Sequence, residues 1–222
     1  ALTIDDGLCR QNAAKRSMAA EVRELLSSHG AKATFMLCSN HLKGSEEEAL
    51  RLLADGHEFG NHCPADRPYA SCSGADFEKE LTQAGSVLAG LLEQAGSGGR
   101  VAWFRAPQAK YTSAMREVVR RHGLRHALAD CYCDDFAVED PQWIAATLLR
   151  QAGSGSIVIL HMPERGHWEH TFEALRLLLE GLEARGLRAV TLSRLAELAE
   201  GSAAGELAEA PGSGISTVAA AS

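Results

Sequence analysis

The run Ala1-Leu2-Thr3-Ile4-Asp5-Asp6-Gly7 is apolar and then stops on two carboxylates and a glycine. It has the length and composition of a buried strand. Residues 12–28 carry helical periodicity instead, with Ala14, Met18, Val22, Leu25 and Leu26 on one side and Gly30 as the stop. Further apolar runs repeat the theme: residues 33–37 end on Cys38, 57–61 on His62, 101–104 on Arg105 and 157–160 on His161. Residues 126–129 end on Asp130, with Asp134 and Asp135 just beyond. Helices are expected over 45–54, 73–94, 112–122, 141–151 and 170–185, and a last strand over 187–192. Strand candidates separated by helices predict an α/β fold built on a parallel sheet or barrel. In such folds side chains from several strands meet at the carboxyl ends, so termini rich in Asp, His and Arg suggest an assembled active site.

The 222 residues fit one domain with a sizeable core, and 45% apolar with 23% charged residues is ordinary for a globular chain. A net charge of −7 argues against a nucleic-acid or anionic-membrane footprint. No apolar run approaches the roughly 20 residues of a membrane span. The chain begins inside a strand-like run, so a truncated N-terminus is expected and localisation is left open. Gly-Ser connectors at 96–99 and 153–155 are too short to divide domains, which places one domain over 1–199. From residue 200 the chain is Ala, Gly, Ser and Glu, a composition expected to give a disordered tail over 200–222. The six cysteines follow no framework spacing and are read as small buried or loop thiols. Oligomeric state is not encoded in any feature of this kind.

Neighbouring side chains on a strand face opposite ways, so only at its end can Asp5 and Asp6 reach one site. Gly7 is expected to supply the freedom for that turn. Such a pair suits one carboxylate on a metal and one free to take a proton, although Asp-Gly is also a common turn.

Leu2-Thr3-Ile4-Asp5-Asp6-Gly7, Gly56-His57-Glu58-Phe59-Gly60-Asn61-His62, Trp103-Phe104-Arg105-Ala106-Pro107 and Ile159-Leu160-His161 follow one another in a familiar order and spacing. The chain, from residue 2 to about 198, resembles the polysaccharide deacetylases, the NodB-homology enzymes of carbohydrate esterase family 4. The resemblance implies a distorted (β/α) barrel of about seven parallel strands. It implies metal-dependent removal of acetyl groups from a carbohydrate partner, a divalent ion (Zn, Mn, Fe or Co), and a secreted or cell-surface setting. By the same resemblance Asp5 is the general base, Asp6 and His62 bind the metal, and His161 is the general acid. Arg105 positions and tunes the base. Asp135, followed by Phe136, falls near the family's Asp-Trp pair, whose aspartate supports the catalytic histidine, and Asp130 and Asp134 compete for that role.

Two departures stand out. The family presents His-x-x-x-His, but His62-Cys63-Pro64-Ala65-Asp66 puts Asp66 in the second position. Residues four apart on a helical turn share a face, and Pro64 suits a first turn, so Asp66 is expected as a ligand, with pairing to Arg67 as the alternative. One imidazole and two carboxylates make Mn²⁺ or Fe²⁺ as suitable as Zn²⁺. After Pro107 the chain reads Gln108-Ala109-Lys110-Tyr111, unlike the family, leaving substrate contact by that loop open.

His57 matches a structural position, and His29, His41, His122 and His126 are read as solvent-facing or capping residues at helix ends and connectors. His167, Trp168 and His170 either line a sugar cleft, with Trp168 stacking on a ring, or shape the next helix entry. Trp103 and Trp143 are read as core. The function expected is deacetylation of chitin- or peptidoglycan-like glycans. The alternatives are a small-amide or imide hydrolase of the same fold and a non-catalytic glycan-binding relative.

Overall fold

The structure, a computed structural model, describes residues 1–10 and 16–209, with side chains as far as residue 201. Six strands form its sheet: β1 (Leu2–Gly7), β2 (Ala33–Leu37), β3 (Glu58–Asn61), β4 (Trp103–Phe104), β5 (Arg125–His126) and β6 (Val158–His161). Every pairing is parallel, and the order is β5-β4-β3-β2-β1-β6. The chain therefore walks outward from β1 to β5 and then crosses to place β6 on the far side of β1. Beyond β5, Cys131 returns to the free edge of β6: its N–H donates to Ile157 O at 3.2 Å and its carbonyl accepts from Ile159 N–H at 2.9 Å. The sheet is thereby curled toward closure into a distorted (β/α) barrel.

Among the described residues seven α-helices flank it: α1 (Ala19–Ser28), α2 (Glu46–Ala54), α3 (Gly74–Gln94), α4 (Ser113–Arg121), α5 (Pro141–Gln151), α6 (His170–Ala184) and α7 (Leu192–Glu209). Capping explains several of the starts. Ser73 accepts from the Asp76 N–H at 3.1 Å, Thr112 from Met115 N–H at 3.2 Å, and Asp140 from Trp143 N–H at 3.0 Å, with Pro141 in the first turn. Leu2, Ile4, Phe35 and Leu160 of the sheet are buried in one cluster with Val22, Leu52, Leu88 and Leu178 of the helices. Strands covered on both faces read as continuous apolar runs, and that is why they were visible in the sequence.

Residues 187–192 do not join the sheet. Val190 O accepts from Leu2 N–H and Ala189 O from Lys32 N–H, both at 3.0 Å, so the segment divides its bonds between β1 and the approach to β2. Leu192 then begins α7, its N–H bonded to Thr34 Oγ1 at 2.8 Å. Six strands result instead of seven. Of the helix expected over 12–28, Ala19–Ser28 is α-helical; Ser17 bridges Glu164 instead, and residues 11–15 lie outside the described residues. α7 continues to Glu209, so the segment expected as a tail from residue 200 begins as helix, and residues 210–222 lie outside the described residues. Trp143, expected in the core, is exposed on α5, whereas Trp103 is buried with its indole N–H on Ser193 Oγ at 2.9 Å.

Candidate active site

A bulge at the end of β1 turns two successive carboxylates toward one place. Asp5 pairs in register with Met36 and Gly7 with Leu37, which leaves Asp6 as the extra residue. Asp6 itself, and not Gly7, takes the left-handed conformation, at φ 64°, which Asp tolerates better than most residues. Gly7 serves by lacking a side chain: a Cβ there would stand 3.0 Å from Leu37 Cδ2.

Asp5 is held by Arg105, which follows β4. One guanidinium nitrogen, Nη1, donates to Asp5 Oδ1 at 2.6 Å and to Thr3 Oγ1 at 2.7 Å, while Nε donates to Ala127 O at 3.1 Å. Both charged groups are buried. Burial alone would push the Asp5 carboxyl up, but Arg105, aided by His62 and His161, holds it below the ordinary carboxylate value.

His161 lies beside Asp5, its register partner on the neighbouring strand β6. Asp135 accepts from His161 twice, Oδ1 from the ring Nδ1 at 2.8 Å and Oδ2 from the backbone N–H at 2.7 Å. With Nδ1 so engaged, Nε2 is the nitrogen that meets a reactant. Burial opposes the imidazolium, yet the fully buried Asp135 outweighs it and raises the His161 pKa. Asp130 is occupied elsewhere, accepting from Ile157 N–H at 2.7 Å, and Asp134 is exposed.

Asp6, Cys38 and His62 each offer a donor atom within 4.8 Å of the other two, and all three are buried. They stand at the ends of the adjacent strands β1, β2 and β3. His62 Nδ1 donates to Arg105 O at 2.8 Å, so its Nε2 keeps a free lone pair, 3.5 Å from Asp6 Oδ1. Burial lowers the His62 pKa, which favours the neutral ring that a metal requires. The set therefore fits a divalent cation. Asp66 stands outside it. Residues 64–67 form bends and no helical turn, after Cys63 at φ 62°, so the four-residue offset does not carry Asp66 onto the face of His62. Its carboxylate lies 3.7 Å from Arg10 Nη2, and Arg67 pairs with Glu80 at 3.2 Å.

Arg10, His41 and Glu164 were not singled out by motif reasoning. Arg10 Nη2 is paired with Asp6 Oδ2, its guanidinium lies 3.6 Å over the Trp168 ring, and Nη1 is 3.0 Å from His167 Nε2. The buried Glu164 accepts from the Arg10 backbone N–H at 2.5 Å. His41, expected as a solvent-facing or capping residue, is buried with Nδ1 3.0 Å from Asp6 O, and burial lowers its pKa to about 4, so it is neutral. None of the three lies in a strand terminus or in a motif that carries the family resemblance. Trp168 and the half-exposed Phe136 pack edge-on to His161, at centroid distances of 5.1 and 5.6 Å. His170 opens α6, its Nε2 2.7 Å from Asp135 O. His57 is structural: its Nδ1 accepts from Ala33 N–H at 3.2 Å.

The family profile described as "Polysaccharide deacetylase" matches residues 1–127, more than half of the chain. This chain belongs to the polysaccharide deacetylase family, the NodB-homology hydrolases of carbohydrate esterase family 4. A chitooligosaccharide deacetylase of Azorhizobium caulinodans is 28% identical over 195 residues, covering 83% of this chain and 88% of that protein. The peptidoglycan deacetylase PdaC of Bacillus subtilis superposes with a TM-score of 0.79 at 23% identity, covering 93% of this chain and 94% of the other. A family 4 acetyl xylan esterase from Clostridium thermocellum, in complex with a cobalt ion, gives a TM-score of 0.74 at 26% identity, with 89% and 90% covered. Among the described residues no helix is long and apolar enough to cross a membrane.

Proposed function

We propose that this chain is a metal-dependent deacetylase of N-acetylated glycans of the chitin or peptidoglycan type. The observation that carries the reading is the opposite tuning of two neighbours: Arg105 acidifies Asp5, and Asp135 raises the pKa of His161, at one register position of β1 and β6. Titratable groups pushed apart in this way define a base and an acid. Asp6 and His62 would hold the divalent ion, which when bound polarises the acetyl carbonyl and lowers the pKa of water. Asp5 takes the proton of the attacking water. Arg105 keeps that carboxylate ionised and aimed. His161 donates from Nε2 to the departing amine nitrogen, a poor leaving group without the proton, while Asp135 holds the ring and sustains its charge. Phe136, and Trp168 on the face that Arg10 leaves uncovered, offer aromatic surface beside the His161 ring for a sugar face. The products are acetate and a free amino sugar. The names carried by the relatives, chitooligosaccharide and peptidoglycan deacetylases, support the choice of substrate.

The test is acetate release from chitin oligomers and peptidoglycan fragments by metal-stripped protein, with Zn²⁺, Mn²⁺, Fe²⁺ or Co²⁺ restored in turn. Release that depends on added metal is expected. Folded protein that releases none with any of the four would overturn the reading, and preference for small acetamides in competition would move it to small-amide hydrolysis.

A further inference from the structure

With Asp66 turned to Arg10, the third donor for the metal must come from elsewhere, and the fold brings one to the spot. β2 lies between β1 and β3, and the residue that follows it is Cys38. Its side chain is fully buried, with Sγ 3.7 Å from Asp6 Oδ1 and 3.4 Å from His62 O. Asp6 presents the right oxygen: Arg10 occupies Oδ2, whereas Oδ1 faces both Cys38 and His62 Nε2.

We infer that Cys38 completes the metal site as a thiolate ligand beside Asp6 and His62, which makes it a site for a borderline-soft cation of the Zn²⁺ or Co²⁺ kind. The inference rests on the metal-dependent reading given above. Distances support it. A tetrahedral Zn²⁺ about 2.3 Å from sulfur and about 2.0 Å from nitrogen and oxygen needs S···O of about 3.5 Å and N···O of about 3.3 Å. The observed 3.7 and 3.5 Å differ from these by shifts that a side-chain rotation supplies. A carboxylate in the third place would suit Mn²⁺ and Fe²⁺, but a thiolate moves the preference toward Zn²⁺ and Co²⁺. On binding, the S–H bond breaks, the sulfur–metal bond forms, and the proton leaves to solvent; no electron changes hands.

Co²⁺ titrated into the metal-free chain reads the ligand directly, because a thiolate bound to Co²⁺ gives a charge-transfer absorption in the near ultraviolet that oxygen and nitrogen ligands do not. The wild-type chain should show this band at one Co²⁺ per chain. Cys38→Ser should abolish it and weaken Zn²⁺ binding by about 10-fold or more, on the scale of lost ligand support. Cys38→His should recover the affinity without the band, which separates loss of a ligand from loss of the fold. Asp66→Ala should keep the band. Co²⁺ bound without the band, a band that survives Cys38→Ser (Cys63, next to His62 in the chain, being another buried thiol), or unchanged Zn²⁺ affinity in Cys38→Ser would each overturn the inference. Metal-dependent acetate release without the band would sink the thiolate and leave the deacetylase; the band without release would do the reverse.

Discussion

Asp135 grips His161 at two points, the ring Nδ1 at 2.8 Å and the backbone N–H at 2.7 Å, and so fixes both where the ring sits and which nitrogen faces outward. A single carboxylate thereby sets orientation, tautomer and charge.

Asp135→Asn removes the charge and keeps the size. Because Asp135 raises the His161 pKa against burial, its loss lets the pKa fall. The acid is then protonated only at lower pH, so the alkaline limb of kcat/KM should move to lower pH. The rate below that limb should drop on the order of 10²-fold. A pH–rate profile checks this, and an unmoved alkaline limb would show that His161 is not the acid.

Asp5→Asn should reduce kcat by about 10² to 10⁴, the range for loss of a general base, while Zn²⁺ content stays stoichiometric. Elemental analysis beside kinetics separates the two carboxylates. Loss of metal in this variant would assign Asp5 to the metal and not to the proton.

Arg105→Met leaves the buried Asp5 carboxylate without its partner, a change that costs about 3–5 kcal/mol at neutral pH. The sign with pH follows from the depressed Asp5 pKa. In the wild type the ionised carboxylate stabilises the fold above the ordinary Asp value, and that contribution fades as pH falls through the lower folded value. In the variant only His62 and His161 still oppose burial, and Asp5 is more readily protonated. The deficit should therefore shrink as pH drops toward about 4. Urea titrations at both pH values check it; a deficit independent of pH would mean that packing, not charge, explains the cost.

Arg10 and a bound divalent cation would share the Asp6 carboxylate, Arg10 on Oδ2. Arg10→Gln should therefore tighten Zn²⁺ binding, on the order of tenfold for a unit charge this near a divalent ion. The gain should narrow in high salt. Competition with a chelating dye measures it. Weaker binding would instead make Arg10 the group that orients Asp6.

The strand termini Asp5, Asp6, Arg105 and His161 were legible because a buried strand leaves an apolar run before each polar stop, whereas His62, behind the mixed stretch 57–61, was legible mainly through the family motif. Choosing Asp135 over Asp130 and Asp134 needed the fold, since all three sit on one connection and only the returning chain at Cys131 decides which turns inward. Asp66 failed on a premise about local geometry: its spacing from His62 means a shared face only on a helix, and Cys63 at φ 62° precludes one. Residues 187–192 have the pattern of a strand, but their hydrogen bonds go to two different neighbours. Cys38 was visible as a strand terminus and was set aside for want of a cysteine framework, a criterion suited to disulfides and blind to a mixed site.

Arg105 faces the site in two ways, by its guanidinium toward Asp5 and by its main-chain oxygen toward His62. Any amino acid at this position retains that oxygen; the contact with Asp5 depends on the side chain. On the function proposed above, a descendant of this chain could thus fall silent as a catalyst through one codon and still be able to hold a cation. On the same reading the step from hydrolase to mere glycan receptor is short, and it would leave the ion behind as a relic.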